Sequence, residues 1–107
     1  MKNYDLYGLS SDNLEAGLAS IERVVGVAFA SHESSYHGGA YYRLGSLGQE
    51  HFILQRNFDP FENEWMEEGF KEVATLLYVN ETERSDELQE ALTMEVPGIR
   101  LLRRERA

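Results

Sequence analysis

Apolar and polar positions along the first part of the chain predict a strand followed by a helix. Residues 3–9 are typical of a short strand that ends near Gly8. The next apolar side chains repeat with the i, i+4, i+7 spacing of one helical face, at Leu14, Leu18 and Ile21. The polar residues before them offer helix caps, and Asp12 with Glu15 forms a pair similar to a capping box.

The run over residues 24–31 is apolar at nearly every position. A strand that is apolar on both sides is usually central in a sheet, and we predict such a strand here. One of its faces carries only small residues, and we expect that face to lie under the first helix. Gly17, on the buried face of the helix, is explained by a close contact between helix and sheet.

The remaining pattern predicts four more strands and one more helix. Residues 40–45 and 51–57 are typical of strands joined by a hairpin, and residues 73–79 form another strand that is apolar on both sides. We expect Ser85 to cap a second helix that buries Leu88, Ala91 and Leu92. Pro97 and Gly98 end that helix, and residues 99–104 make a last strand.

The predicted order is β-α-β-β-β-(acidic segment)-β-α-β, with no repeat or linker. Sequential strands favour hairpins, and therefore an antiparallel or mixed sheet of about five or six strands. Two helices do not cover both faces of such a sheet, so we expect them mainly on one face. The fold class predicted is α+β, with residues 1–107 forming a single domain.

The charge of the chain is its most informative compositional feature. Nineteen Asp and Glu against ten Lys and Arg give a net charge of −9 over 107 residues. Such a field repels nucleic acid and attracts cationic proteins, although solubility alone is an alternative explanation. Cysteine is absent, and no apolar run is long enough to span a membrane. The first residues do not have the pattern of a signal peptide, so we expect none. We expect a cytoplasmic protein without cofactor or metal.

Residues 58–72 form an acidic segment with interspersed aromatic side chains, typical of a short helix or an ordered long loop. Aromatic anchors surrounded by steering charges are characteristic of protein interfaces. The partner-binding residues predicted here are Asp59, Glu62, Glu64, Trp65, Glu67 and Glu68. The alternative is that the aromatic rings pack inward and the acids are simply solvated. The arginines near the C-terminus either fold back on the acidic surface or remain a solvated end, and we favour the second.

A polar stretch, His32-Glu33-Ser34-Ser35-Tyr36-His37-Gly38-Gly39, offers a second candidate site. Its histidines are five positions apart, which does not match the H-E-x-x-H helical zinc motif. The favoured interpretation is a polar loop, whose side chains either hydrogen-bond backbone groups at the strand ends or contact a partner. The predicted partner-binding residues here are Glu33, Tyr36, His37 and the nearby Tyr42. The alternative is a small ligand-binding domain or enzyme that uses His32, Glu33 and His37. No nucleophile motif supports covalent catalysis, so we expect no enzymatic activity.

The chain resembles the small acidic immunity proteins of bacterial contact-dependent growth inhibition and related polymorphic toxin systems. The resemblance rests on Tyr4-Asp5-Leu6-Tyr7-Gly8-Leu9, on Ile21-Glu22-Arg23, on the stretch from His32 to Arg43 and on Leu76-Leu77-Tyr78-Val79. It implies a cytosolic protein that binds one cognate toxin domain and blocks its active site. The toxins of such systems are often nucleases (RNases, tRNases or DNases) with basic substrate-binding faces. The resemblance assigns no individual functional residue.

Overall fold

The elements follow the predicted α+β order around one antiparallel sheet. The computed structural model describes residues 2–34 and 39–106. In chain order the elements are β1 (Asn3–Leu9), α1 (Leu14–Val25), β2 (Ala30–Ser34), β3 (Gly39–Leu44), β4 (His51–Arg56), β5 (Phe58–Asp59), β6 (Glu64–Trp65), β7 (Thr75–Thr82), α2 (Ser85–Glu95) and β8 (Ile99–Arg106). A 3-10 turn at Glu68–Phe70 precedes β7. None of the helices described is long and apolar enough to cross a membrane.

The main sheet has six strands in the order β2-β3-β4-β7-β1-β8, and every neighbouring pair is antiparallel. The fold-class prediction is therefore confirmed. The strand predicted to be apolar on both sides, β7, lies between β4 and β1, and its Leu76 and Leu77 are fully buried on opposite faces. The short strands β5 and β6 pair only with each other.

Both helices pack on the same face of the sheet, as predicted. Ile21 of α1 and Leu92 of α2 join Tyr7, Leu54 and Leu77 of the sheet in one buried cluster. Each such side chain contributes roughly 1.5–3 kcal/mol by leaving water. The hydroxyl of Tyr7 is buried without a hydrogen-bond partner among the described residues, and burial raises the pKa of Tyr7 to about 12.

The prediction of a central strand over residues 24–31 is wrong. α1 continues to Val25, and Gly26 ends it in the left-handed conformation at φ 82°. Strand β2 begins only at Ala30 and forms an edge of the sheet, so no face of small residues lies under α1. Within residues 24–31 only Phe29 is buried. An apolar run does not by itself distinguish the last turn of a helix from a strand.

The predicted helix caps also differ from those in the structure. Asn13, rather than Asp12, caps α1, because its Oδ1 accepts a hydrogen bond from the Ala16 amide at 3.1 Å. Helix α2 begins at Ser85, but its cap position, Arg84, makes no side-chain cap bond. The Ser85 hydroxyl instead accepts a hydrogen bond from the Asn3 side chain at 2.8 Å.

Gly17 is buried on the face of α1 that packs on the sheet. A Cβ atom at this position would stand 3.4 Å from Cδ2 of Leu9 in β1, an ordinary van der Waals distance. The explanation of this glycine by an unusually close contact between helix and sheet stays a prediction.

The opposite face of the sheet is partly covered by the acidic segment. Leu6, Leu76 and Val73 form a second buried cluster, against which Met66 and Phe70 pack. The segment is an ordered loop that contains the β5–β6 hairpin and the 3-10 turn, so the prediction of an ordered long loop holds better than that of a short helix. Inward packing of the aromatic rings is correct for Phe70, which packs against this core, and wrong for Phe61, which is exposed.

The arginines near the C-terminus do not form a solvated end, and that prediction is wrong. They belong to β8, which pairs with β1 along its length. Each of three arginines there holds a carboxylate, Arg100 that of Glu72, Arg103 that of Glu67 and Arg104 that of Asp5. These pairs use a large part of the positive charge of the chain internally.

Candidate functional site

One buried residue, Asn57, holds the acidic segment against the sheet. Its Nδ2 donates hydrogen bonds to the carbonyl oxygens of Phe70 at 2.9 Å and Val73 at 3.0 Å. Its Oδ1 accepts a hydrogen bond from the Glu67 amide at 2.9 Å. Three backbone groups of the segment are thus satisfied by a single side chain, which fixes the shape of the loop.

Asp59 shapes the turn between β5 and β6. Asp59 is buried, with 4% of its surface exposed to solvent. Its Oδ1 accepts hydrogen bonds from the amides of Phe61 at 2.8 Å and Glu62 at 3.4 Å. Asn63 completes the turn at φ 56°, in the left-handed region that Asn tolerates better than most residues. The carboxylate of Asp59, predicted to meet a partner, therefore faces the backbone of its own hairpin.

Glu67, another predicted partner contact, is engaged within the chain. The hydroxyl of Tyr78 donates to its Oε2 at 2.6 Å, and Arg103 donates to its Oε1 at 3.0 Å. Burial, with the Glu67 carboxylate next in importance, raises the pKa of Tyr78. Glu67 therefore ties the segment to β7 and β8.

The remaining predicted residues of the segment form an exposed surface of mixed character. Phe61 is 68% exposed and Phe58 is 37% exposed, whereas Trp65 is half-buried. The rings of Phe58 and Trp65 meet edge to face, with centroids 5.2 Å apart. Among the residues described, Glu62, Glu64 and Glu68 have no cationic partner. We call Phe58, Phe61, Glu62, Glu64, Trp65 and Glu68 the acidic aromatic surface.

The acidic aromatic surface adjoins the start of β3. A Cβ atom on Gly39 would lie 3.4 Å from Cε2 of Phe61, so the phenyl ring is in contact distance of the β3 backbone. The structure thus brings the acidic segment next to the end of the second predicted stretch. Tyr36 and His37 lie outside the described residues.

The other predicted residues of the second stretch are dispersed. Glu33 is exposed on the edge strand β2, whereas Tyr42 is half-buried and packs against the main core. His32 stacks on Tyr41, with ring centroids 5.3 Å apart. Successive side chains of a strand point to opposite faces, so the side chains of His32 and Glu33 leave β2 in opposite directions. Both residues nevertheless border one hollow at the sheet edge.

Another hollow borders the β5–β6 hairpin. Its volume is about 350 Å³. Its apolar walls are formed by Phe58, Pro60, Trp65 and Ala74, and its charged lining by Asp12, Arg56, Lys71 and Glu72. Phe58 and Trp65 therefore contribute both to the acidic aromatic surface and to this hollow.

The sequence interpretation missed a second acidic surface, at the start of helix α2. Glu83, Glu87 and Glu90 are exposed and have no ion-pair partner in the described part of the chain. Glu83 precedes the helix, which begins at Ser85, whereas the i, i+3 spacing of Glu87 and Glu90 places both on one helical face. Solvent-facing carboxylates are therefore present on both the loop face and the helix face of the sheet.

The described residues contain no group of three His, Asp or Glu side chains placed to hold a metal ion. No family model matches the sequence, and no curated protein matches it. Interpretation of the site accordingly depends on its own geometry and chemistry.

Proposed function

We propose that this chain is an immunity protein, a non-enzymatic inhibitor that binds and neutralises one cognate toxin domain. The partner that we infer is a basic nuclease, an RNase, tRNase or DNase, of a contact-dependent growth inhibition or related polymorphic toxin system. The encounter takes place in the cytoplasm. Support comes from the resemblance of the sequence to such proteins and from the chemistry of the exposed surface.

The observation that carries the proposal is the exposure of Phe61 in a segment with three exposed carboxylates. Phe61 is 68% exposed after folding, although burial of such a ring is favourable. Glu62, Glu64 and Glu68, within seven positions of it in the sequence, are exposed as well. An apolar anchor with a charged rim is the arrangement found where protein interfaces form.

The internal ion pairs strengthen this interpretation of the charge. Arg100, Arg103 and Arg104 pair with acids on or near the sheet, whereas the acids of the acidic aromatic surface have no such partner among the described residues. A nuclease presents cations where the phosphates of its substrate lie. Carboxylates that occupy those positions exclude the substrate, and their long-range attraction accelerates the encounter.

The test is binding and inhibition of the toxin domain encoded beside the gene for this chain. The two purified proteins are mixed at physiological salt, and complex formation and nuclease activity are both measured. We expect a stable complex with loss of nuclease activity. A non-cognate nuclease of similar basic charge is the control and should keep its activity. A folded sample that neither binds the neighbouring toxin nor inhibits it contradicts the proposal.

A further inference from the structure

The hollow beside the β5–β6 hairpin differs in charge from the rest of this acidic protein. Two cations, Arg56 and Lys71, line it, and neither has an ion-pair partner among the described residues. Of the two acids in its lining, Glu72 is held by Arg100 at 2.7 Å. Asp12 is the remaining free carboxylate. The uncompensated charge of the lining is therefore positive.

The walls of the hollow are suited to a flat apolar group. The rings of Phe58 and Trp65 meet edge to face at 5.2 Å, and both border the hollow together with Pro60 and Ala74. Aromatic side chains favour offset or edge contacts with another ring. The volume of about 350 Å³ lies at the small end of the range typical of ligand sites.

We infer that this hollow binds a small apolar carboxylate, with its ring or branched chain against Phe58 and Trp65 and its carboxylate at Arg56 and Lys71. Hydrogen bonds between an ionised acceptor and Arg or Lys are among the strong ones in proteins. A cationic ligand would be repelled by Arg56 and Lys71, because all three carry positive charge. A polyanion such as a nucleotide is disfavoured by Asp12 and by the net charge of −9. A monoanion therefore fits best.

This binding site is additional to the proposed inhibition of a toxin and does not depend on it. The acidic aromatic surface is directed to a cationic protein, whereas the hollow selects an anion. A failure of toxin binding therefore leaves the ligand site unaffected, and each is tested by its own measurement.

Trp65 provides a direct test, because it is the only tryptophan of the chain. Its fluorescence is recorded while phenylacetate is added, with neutral phenylacetamide and cationic phenethylamine as probes of the same size. We expect a saturable change of the Trp65 emission with phenylacetate and at least about tenfold weaker binding of the other two compounds. Equal responses to acid and amide, or no saturable response to phenylacetate up to about 10 mM, would overturn the inference.

Variants of the two cations make the test specific. Arg56→Gln and Lys71→Gln should each weaken phenylacetate binding about tenfold. Arg43→Gln removes the same charge from β3, outside the lining of the hollow, and should leave the affinity unchanged. Lys71 is exposed, so its variant tests the site even if Arg56→Gln perturbs β4. Unchanged affinity of Lys71→Gln, or an equal loss in Arg43→Gln, contradicts the assignment.

Discussion

Arg104 forms a two-pronged ion pair with Asp5, a residue 99 positions away in the sequence. Its Nε and Nη2 atoms stand 2.9 Å and 3.1 Å from the two carboxylate oxygens, and the Asp5 side chain is fully buried. The same guanidinium donates to Asp86 and Gln89 of α2. One arginine thereby joins β8, β1 and the second helix.

Replacement of Arg104 should be strongly destabilising. Arg104→Ala leaves the buried Asp5 carboxylate without a counter-charge, and we expect a loss of about 3–5 kcal/mol in the free energy of unfolding. Urea denaturation measures this loss. The double variant Asp5→Leu with Arg104→Met removes both charges and should lose less than Arg104→Ala. A loss below about 1 kcal/mol in Arg104→Ala would show that the pair is unimportant.

Asn57→Ala should loosen the acidic segment. It removes the hydrogen-bond partner of three backbone groups, at Glu67, Phe70 and Val73, and we expect a loss of about 2–4 kcal/mol. The Trp65 emission should shift towards that of a solvated indole, since the adjoining loop becomes mobile. Asn80→Ala, which removes one side-chain contact with His51, is the control and should leave the emission unchanged. An unaltered Trp65 emission in Asn57→Ala contradicts this role.

Gly8→Ala tests the packing beneath the segment. A Cβ atom at Gly8 would lie 2.8 Å from Cγ1 of Val73 and 2.9 Å from Cδ1 of Leu102, closer than such atoms approach. We expect the variant to lose about 1–3 kcal/mol of stability through overpacking. Gly69→Ala is the matched control, because nothing lies within 4 Å of its Cβ position. Equal melting temperatures of the two variants would contradict the close approach of Val73 and Leu102 to Gly8.

The contribution of Glu50 should depend on pH in a defined direction. Its hydrogen bond with Arg84 is the main cause that lowers the pKa of Glu50 below its ordinary value of 4.5. The stabilisation is therefore fully present above the unfolded pKa and is lost as the pH falls through the lower folded pKa. Glu50→Gln should be less stable than the parent at neutral pH, and the difference should shrink below about pH 4. Glu83→Gln removes an acid without an ion-pair partner, so its stability relative to the parent should not depend on pH in this way. If the stability difference between Glu50→Gln and the parent is the same at all pH values, the pairing of Glu50 with Arg84 is contradicted.

Local patterns in the sequence predicted much of the fold. The spacing of Leu14 and Ile21 identified α1, and the apolar character of residues 73–79 identified the central strand β7, because these are local signals. The bounds of that strand were shifted, since β7 begins at Thr75 and ends at Thr82. The apolar run over residues 24–31 led to the wrong prediction of a strand, because a glycine such as Gly26 occurs in such a strand as well as at the end of a helix. Only the packing of α1 on the sheet distinguishes the two.

The candidate site was predictable as a segment but not residue by residue. Glu62, Glu64, Glu67 and Glu68 are chemically alike in the sequence, yet Glu67 alone among them is held by Tyr78 and Arg103, which belong to other strands. The role of Asn57 could not be read from the sequence either, because its partners are backbone groups 10–16 positions away. Contacts between distant parts of the chain decide which carboxylates remain available.

The most direct test of the account compares two triple charge reversals in their association with the neighbouring toxin domain. Glu62, Glu64 and Glu68 are changed to Lys in one variant. Glu83, Glu87 and Glu90, at the start of α2, are changed to Lys in the other, so the net charge changes equally. We expect the first variant to associate at least about tenfold more slowly, with a weaker dependence on salt, and the second to be much less affected. Equal rates for the two variants, or a parental rate for the first, would contradict the claim that the acidic aromatic surface binds the toxin.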